Sequence, residues 1–194
     1  WNYSCPTTTP PNDYCYGPAV ATGTVDPAPA ASPIVKANTQ ATAAVGEVFR
    51  YRLTIPQTPY AFDAFDVRIL DDLTASAADL RFLSVTKVSG SAPWTPANTG
   101  TATDLVIEDA TVGIDIPAGE QIVFDIEVVL EDTPTNVAGL TFTNTANYVY
   151  RWLDGNSATE RTGAAGTSAP MTIVEPDVTM TKSGPATMTL ATPA

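Results

Sequence analysis

Between Leu140 and Trp152 the chain alternates with a period of two. Leu140, Phe142, Asn144, Ala146, Tyr148, Tyr150 and Trp152 fall on one side, and Thr141, Thr143, Thr145, Asn147, Val149 and Arg151 on the other. Successive residues of a strand point to opposite faces, so this run of aromatic and β-branched residues specifies a half-buried strand. One member of the apolar side is out of place, and that is Asn144. A buried amide without partners costs about 1–3 kcal/mol. Something in the fold has to compensate for it.

The same period recurs along the chain. Val48 to Ile55 turns Phe49, Tyr51, Leu53 and Ile55 inward and Arg50, Arg52 and Thr54 outward. Gln121 to Leu130 turns Ile122, Phe124, Ile126, Val128 and Leu130 inward, with Asp125, Glu127 and then Glu131 outward. Phe65 to Asp71 places Phe65, Val67, Ile69 and a second misplaced polar residue, Asp71, on one side. Leu80 to Val88 is mixed and Leu105 to Glu108 is brief. Glycines at 46, 90, 100, 113, 119 and 139 punctuate these runs, and Asp154-Gly155 predicts a hairpin turn after the Leu140 strand. Helical periodicity is never sustained; Thr74 to Leu80 allows a single turn. Many short strands separated by turns predict an all-β, immunoglobulin-like β-sandwich over residues 32–174.

Residues 1–31 are dense in Pro, Thr and Ala, which suits an extended N-terminal segment better than a helix or a central strand. Its Cys5 and Cys15 are the only cysteines, and the chain has no histidine. Two sulfurs without imidazole partners do not close a zinc site, so a Cys5–Cys15 disulfide in an oxidising compartment is expected. The absence of histidine also removes the commonest general base near neutral pH. With 21 acidic and 9 scattered basic residues, a net charge of −12, the chain is unsuited to nucleic acid. No apolar run reaches membrane-spanning length.

Residues 175–194 restate the start of the sandwich. Ser32-Pro33-Ile34-Val35-Lys36 is echoed about one domain length later by Glu175-Pro176-Asp177-Val178-Thr179-Met180-Thr181-Lys182. This segment is expected to be the first strand of a following module or a donor strand between subunits. Pro176, Val178, Met180, Lys182, Met188 and Leu190 would be its contact residues. Returning to its own domain's edge or staying disordered are the alternatives.

In their order and spacing these features resemble bacterial and archaeal cell-surface repeats of immunoglobulin-like fold, related to the isopeptide-forming domains of fimbrial proteins. The motifs are Val35-Lys36, Val45-Gly46-Glu47-Val48-Phe49-Arg50-Tyr51, Asp71-Asp72-Leu73, Ile116-Pro117-Ala118-Gly119-Glu120, Asn144-Thr145-Ala146 and Val174-Glu175-Pro176. The resemblance covers about residues 32–190. It implies an extracellular structural module in which a first-strand lysine attacks a late asparagine, assisted by a buried acid. Carried over, these are Lys36, Asn144 and Asp71. Parity independently places Asp71 and Asn144 inward, and Lys36 shares parity with Ile34. Desolvation disfavours a buried ammonium, so such a lysine becomes a nucleophile, and it lets a buried acid keep its proton and polarise the amide. The plainer alternative is a non-covalent polar cluster, with Asp71 capping a strand end, Asn144 bonded at a bulge and Lys36 reaching solvent.

Further candidates carry weaker signals. Asp63, Asp66, Asp71, Asp72, Asp109 and Asp115 are oxygen ligands of the kind calcium uses, but no calcium-loop spacing is present, and no metal or other cofactor is expected. Asp125 and Glu127 lack the nucleophile and base that would make them an enzyme's pair. Trp94 offers a ring for glycan stacking, the basis of an alternative reading as an adhesin or carbohydrate-binding module. Trp152 is expected in core or edge packing. The leading expectation is a non-enzymatic, extracellular module of a filament, pilus-like fibre or surface layer. Its partners would be identical or homologous subunits.

Overall fold

The computed structural model describes residues 31–91, 93–109, 111–175 and 180–184. These form β1 (Val35–Asn38), β2 (Thr42–Ala44), β3 (Val48–Ile55), β4 (Phe65–Asp72), β5 (Leu80–Ser89), β6 (Ala97–Asn98) and β7 (Asp104–Glu108). They continue with β8 (Ile122–Leu130), β9 (Thr141–Phe142), β10 (Thr145–Arg151), β11 (Glu160–Thr162), β12 (Gly166–Thr167) and β13 (Met171–Val174). Among the described residues, helix is limited to single 3-10 turns at Leu73–Ala75 and Ser157–Thr159.

The period-two runs become the inner faces of a sandwich. One sheet runs β1-β3-β8-β5; the other runs β11-β10-β4-β7-β6, with β12 also on β10. Tyr51 and Leu53 of β3 and Phe124 and Ile126 of β8 share a single core with Val67 and Ile69 of β4, Leu105 and Ile107 of β7, and Ala146 and Tyr148 of β10. Each large side chain removed from water there contributes about 1.5–3 kcal/mol. A third, smaller sheet, β2-β13-β9, closes one flank. In it the last strand lies parallel to the continuation of the first, with Ile173 beside Ala43. The architecture is the all-β, immunoglobulin-like sandwich that the alternation predicts.

Three local expectations are corrected. The Leu140–Trp152 run is two strands, interrupted at Thr143-Asn144, although Phe142, Asn144, Ala146, Tyr148 and Tyr150 keep their inward parity across the gap. Trp152 is 43% exposed, because β10 has already ended and the chain is turning away from the sheet. Asp154-Gly155 does centre a turn, with Asn156 N–H donating to Leu153 O at 3.2 Å and Gly155 at φ +63°. The link from β10 to β11 is nonetheless longer than a tight hairpin and includes the second 3-10 turn.

Val35 sits opposite Thr54, near the C-terminal end of β3. Val174 lies beside Ala44, next to the turn that leads into the start of β3. The chain therefore joins the sandwich at one end and leaves β13 at the other. Cys5, Cys15, Pro176, Val178, Met188 and Leu190 lie outside the described residues. Met180 and Lys182 lie outside every strand, and Met180 is 87% exposed.

Candidate functional site

Lys36 is placed by β1, whose antiparallel pairing sets it opposite Leu53 and turns its side chain into the sandwich. Asp71 is the penultimate residue of β4, opposite Ala146 on β10 and Leu105 on β7. Asn144 occupies the two-residue gap before β10 and is 2% exposed. The three meet in the core: the Lys36 Nζ donates to Asp71 Oδ2 and to Asn144 Oδ1. The side chains of Lys36 and Asp71 are wholly withdrawn from solvent. A strand of one sheet is thus tied to two segments of the other side of the sandwich.

Two of the plainer alternatives do not match this arrangement. Lys36 does not reach solvent. Capping falls to the neighbour of Asp71, because Asp72 Oδ1 accepts the Thr74 N–H at 2.9 Å. Asp71 Oδ1 has no hydrogen-bond partner among the described residues.

Burial pushes the Lys36 amine below the ordinary lysine value, and the attraction and hydrogen bond of Asp71 offset only part of that shift. The Tyr51 ring lies under Nζ, with its centroid 4.3 Å away. Burial, reinforced by the nearby Asp71 carboxylate, drives the Tyr51 phenol up, so it stays neutral.

The backbone of Asn144 is held by a residue that sequence reasoning missed. Its N–H donates to Ser168 Oγ at 3.1 Å, and its carbonyl accepts the Ser168 N–H at 2.9 Å. The side-chain Nδ2 donates to Asp72 O at 3.4 Å. Asn38 of β1 donates to Ala169 O at 2.8 Å, so the 166–169 segment holds both the lysine strand and the asparagine. Gly166 makes this approach possible: a Cβ there would lie 1.9 Å from Ile34 O. Ser168 carries no sequence signal, since one Ser among Gly, Thr and Ala reads as loop. Tyr51 is legible only as a core residue of β3.

The remaining candidates are accounted for elsewhere. Trp94 is 5% exposed, packed edge-on against Phe124 with ring centroids 6.3 Å apart and covered by the Lys87 amine 5.0 Å from its ring. It presents no open face to a sugar, which corrects its reading as a ligand contact: between the exposed Pro93 and Thr95 the indole alone turns inward. Asp109 accepts from Thr95 N, Thr111 Oγ1, Thr111 N and Val112 N, which holds its carboxyl far below the usual carboxylate range. Asp66 pairs with Arg151 at 2.7 Å, and Asp115 accepts the Asp66 N–H. Asp125 and Glu127 pair with Arg52 and Arg50 across the outer face. Among the described residues no three His, Cys, Asp or Glu side chains are grouped as metal ligands.

No protein-family model and no curated protein matches the sequence. Solved structures with a similar layout include a cohesin module from a Clostridium perfringens family 33 glycoside hydrolase. It has 10% identity and a TM-score of 0.45 over 76% of this chain and 100% of that one. The full-length major pilin SpaD of Corynebacterium diphtheriae aligns at 14% identity and a TM-score of 0.44. That alignment covers 71% of this chain and 34% of the pilin. The collagen-binding subdomain of the Enterococcus faecalis surface protein ACE aligns at 11% identity and a TM-score of 0.40, over 72% of this chain and 95% of the subdomain.

Proposed function

We propose that the chain is a structural module of an extracellular fibre or surface layer, whose sandwich is locked by one isopeptide bond between Lys36 and Asn144. A single observation carries this reading: a lysine amine, fully buried, is seated against both an asparagine amide and a carboxyl. A buried ion pair is poor at stabilising a fold, since desolvation offsets most of its attraction. A reaction that removes the charge gives the same three residues a purpose.

In the reaction the neutral Nζ of Lys36 attacks Asn144 Cγ. A bond forms between Nζ and Cγ, the Cγ–Nδ2 bond breaks, and ammonia leaves. Asp71, in contact with Nζ, carries the proton from the attacking nitrogen to the departing one. The main-chain oxygen of Asp72 and the two bonds from Ser168 keep the amide in place meanwhile. The step occurs once per chain, as maturation without turnover.

At the level of assembly, the segment after β13 is the donor or linking strand, with Met180 and Lys182 free of the sandwich's own sheets. Its partner is an identical or homologous subunit, and its setting is outside the cell or at the cell surface. The burial of Trp94 removes the main support for the carbohydrate-binding alternative.

Intact-mass measurement tests the bond. The mature chain is expected to be lighter than its sequence by one ammonia, with Lys36 and Asn144 recovered in one branched tryptic peptide. Full sequence mass, with the two residues in separate peptides, overturns it.

A further inference from the structure

We propose that residues 180–182 of one copy dock on the outer face of β4 and β7 of another, with Lys182 seated between Asp72 and Asp104 and Met180 on Leu70 and Val106. The inference rests on the reading of the segment after β13 as a link between subunits, and it names what that segment meets.

Leu70 and Asp72 alternate with the buried Ile69 and Asp71 along β4 and so face outward. Asp72 lies directly opposite Asp104 of β7, while Leu70 lies opposite Val106 of β7 on one side and Asn147 of β10 on the other. Opposed residues of antiparallel strands hold their Cβ atoms about 4.5–5.5 Å apart, and like charges so placed are destabilising. The Thr74 hydroxyl, helped by the Thr74 N–H, holds the Asp72 carboxyl below its ordinary range, so it stays charged. Neither carboxylate has a cationic partner among the described residues. The outer face of the other sheet shows the opposite arrangement, with Arg50 opposed to Glu127 and Arg52 to Asp125, each in an ion pair. Beside the acidic pair runs a groove of about 210 Å³ lined by Leu70, Asp72, Asp104, Thr145, Asn147 and Ala165, with no basic residue in its walls. An aliphatic floor next to two uncompensated negative charges suits an ammonium carried on a methylene stem.

The chain itself supplies such a group. Of its nine Lys and Arg side chains, six pair with carboxylates within the sandwich. Lys87 covers the Trp94 ring, and Arg161 donates to Glu160 O. Lys182 is exposed beyond β13, outside every strand, and meets no carboxylate among the described residues. Met180, two residues before it, is 87% exposed. In an extended chain residues two apart share a face at a spacing of about 6.6 Å. Leu70 and Asp72 have that same spacing on β4, so one pass of the segment along the strand sets Met180 on the aliphatic row and Lys182 on the acidic one. Segment and groove are different surfaces, so each copy offers one and accepts the other. A heterologous contact of this kind builds an open chain where its rotation does not close.

Charge exchange in the full chain tests this, read by sedimentation velocity over a concentration series at low salt. Asp104 is exposed and replacing it removes a like-charge neighbour of Asp72, so Asp104→Lys is expected to melt no lower than wild type. Asp104→Lys and Lys182→Glu are each expected to weaken association about tenfold or more. An equal mixture of the two is expected to regain it, since every junction then pairs opposite charges. In about 1 M salt, where the screening length is ~3 Å, the wild-type contact should weaken as well. If the wild type associates and both variants associate equally well, or if mixing restores nothing, Lys182 does not meet this face of a neighbouring copy. The proposal is then overturned while assembly stands. A wild-type chain that stays monomeric at every concentration overturns the assembly reading and this inference with it.

Discussion

Replacing Asn144 with Ala removes the acceptor amide while keeping the Lys36–Asp71 pair, and the size of its effect separates a covalent clasp from a polar cluster. In the chain-entropy view, a cross-link stabilises by denying the unfolded chain its freedom. For the 108-residue separation between Lys36 and Asn144 that is about 4.7 kcal/mol. Loss of the buried amide's hydrogen bonds adds about 1–2 kcal/mol. The covalent reading therefore expects a loss of about 5–7 kcal/mol, against about 1–2 kcal/mol for a cluster held only by hydrogen bonds. Domains of this kind have about 5–15 kcal/mol in all, so the variant keeps its fold only where the wild-type chain lies above about 7 kcal/mol. At about 2–4 °C per kcal/mol, its melting point should fall by about 10–28 °C. The assay is thermal and guanidinium unfolding of both chains, with intact mass recorded on the same samples. A variant within about 2 kcal/mol of a wild-type chain that has lost ammonia would refute the entropic reasoning. A similarly small difference with no ammonia lost would leave the non-covalent cluster as the description of the site.

Two further outcomes follow from the same geometry. In the Asn144→Ala chain the Lys36 amine stays free and its affinity for protons is lowered by burial, whereas in the unfolded chain it titrates near 10.5. Between those two values the unfolded state binds more protons, so stability should rise with pH through that window, with the full burial penalty present below it. Guanidinium midpoints taken on the alkaline side of neutrality should show this slope, and adding Lys36→Met should abolish it; a slope that survives excludes Lys36 as its source. Gly166→Ala should destabilise by about 3 kcal/mol or more, since the new Cβ would meet the backbone oxygen of Ile34 at 1.9 Å and β12 must move off β1. A wild-type melting temperature for that variant would show that β12 does not press on β1.

The strands of the sandwich were legible because a two-residue period ties each side chain to a face, and hydrophobicity alone then says which face is buried. Val48 to Ile55 and Gln121 to Leu130 became β3 and β8 with the expected residues inside. Trp94 was misread because indole rings suit both a sugar platform and a core, and composition around two prolines does not say which way the segment turns. Ser168 was invisible because its importance lies in two hydrogen bonds to a residue 24 positions away.

Parity along single strands settled, before any fold was known, that Asn144 and Asp71 would be polar groups on buried faces, since that follows from local backbone geometry. Whether they would meet each other and a lysine could not be read in the same way. Lys36, Asp71 and Asn144 lie far apart along the chain, and their contact depends on the register of β1 on β3, of β4 on β10, and on the packing of one sheet over the other. Registers are fixed by the sum of all cross-strand contacts, so the meeting of Lys36 with Asp71 and Asn144, ahead of the last four strands, is a property of the assembled sandwich.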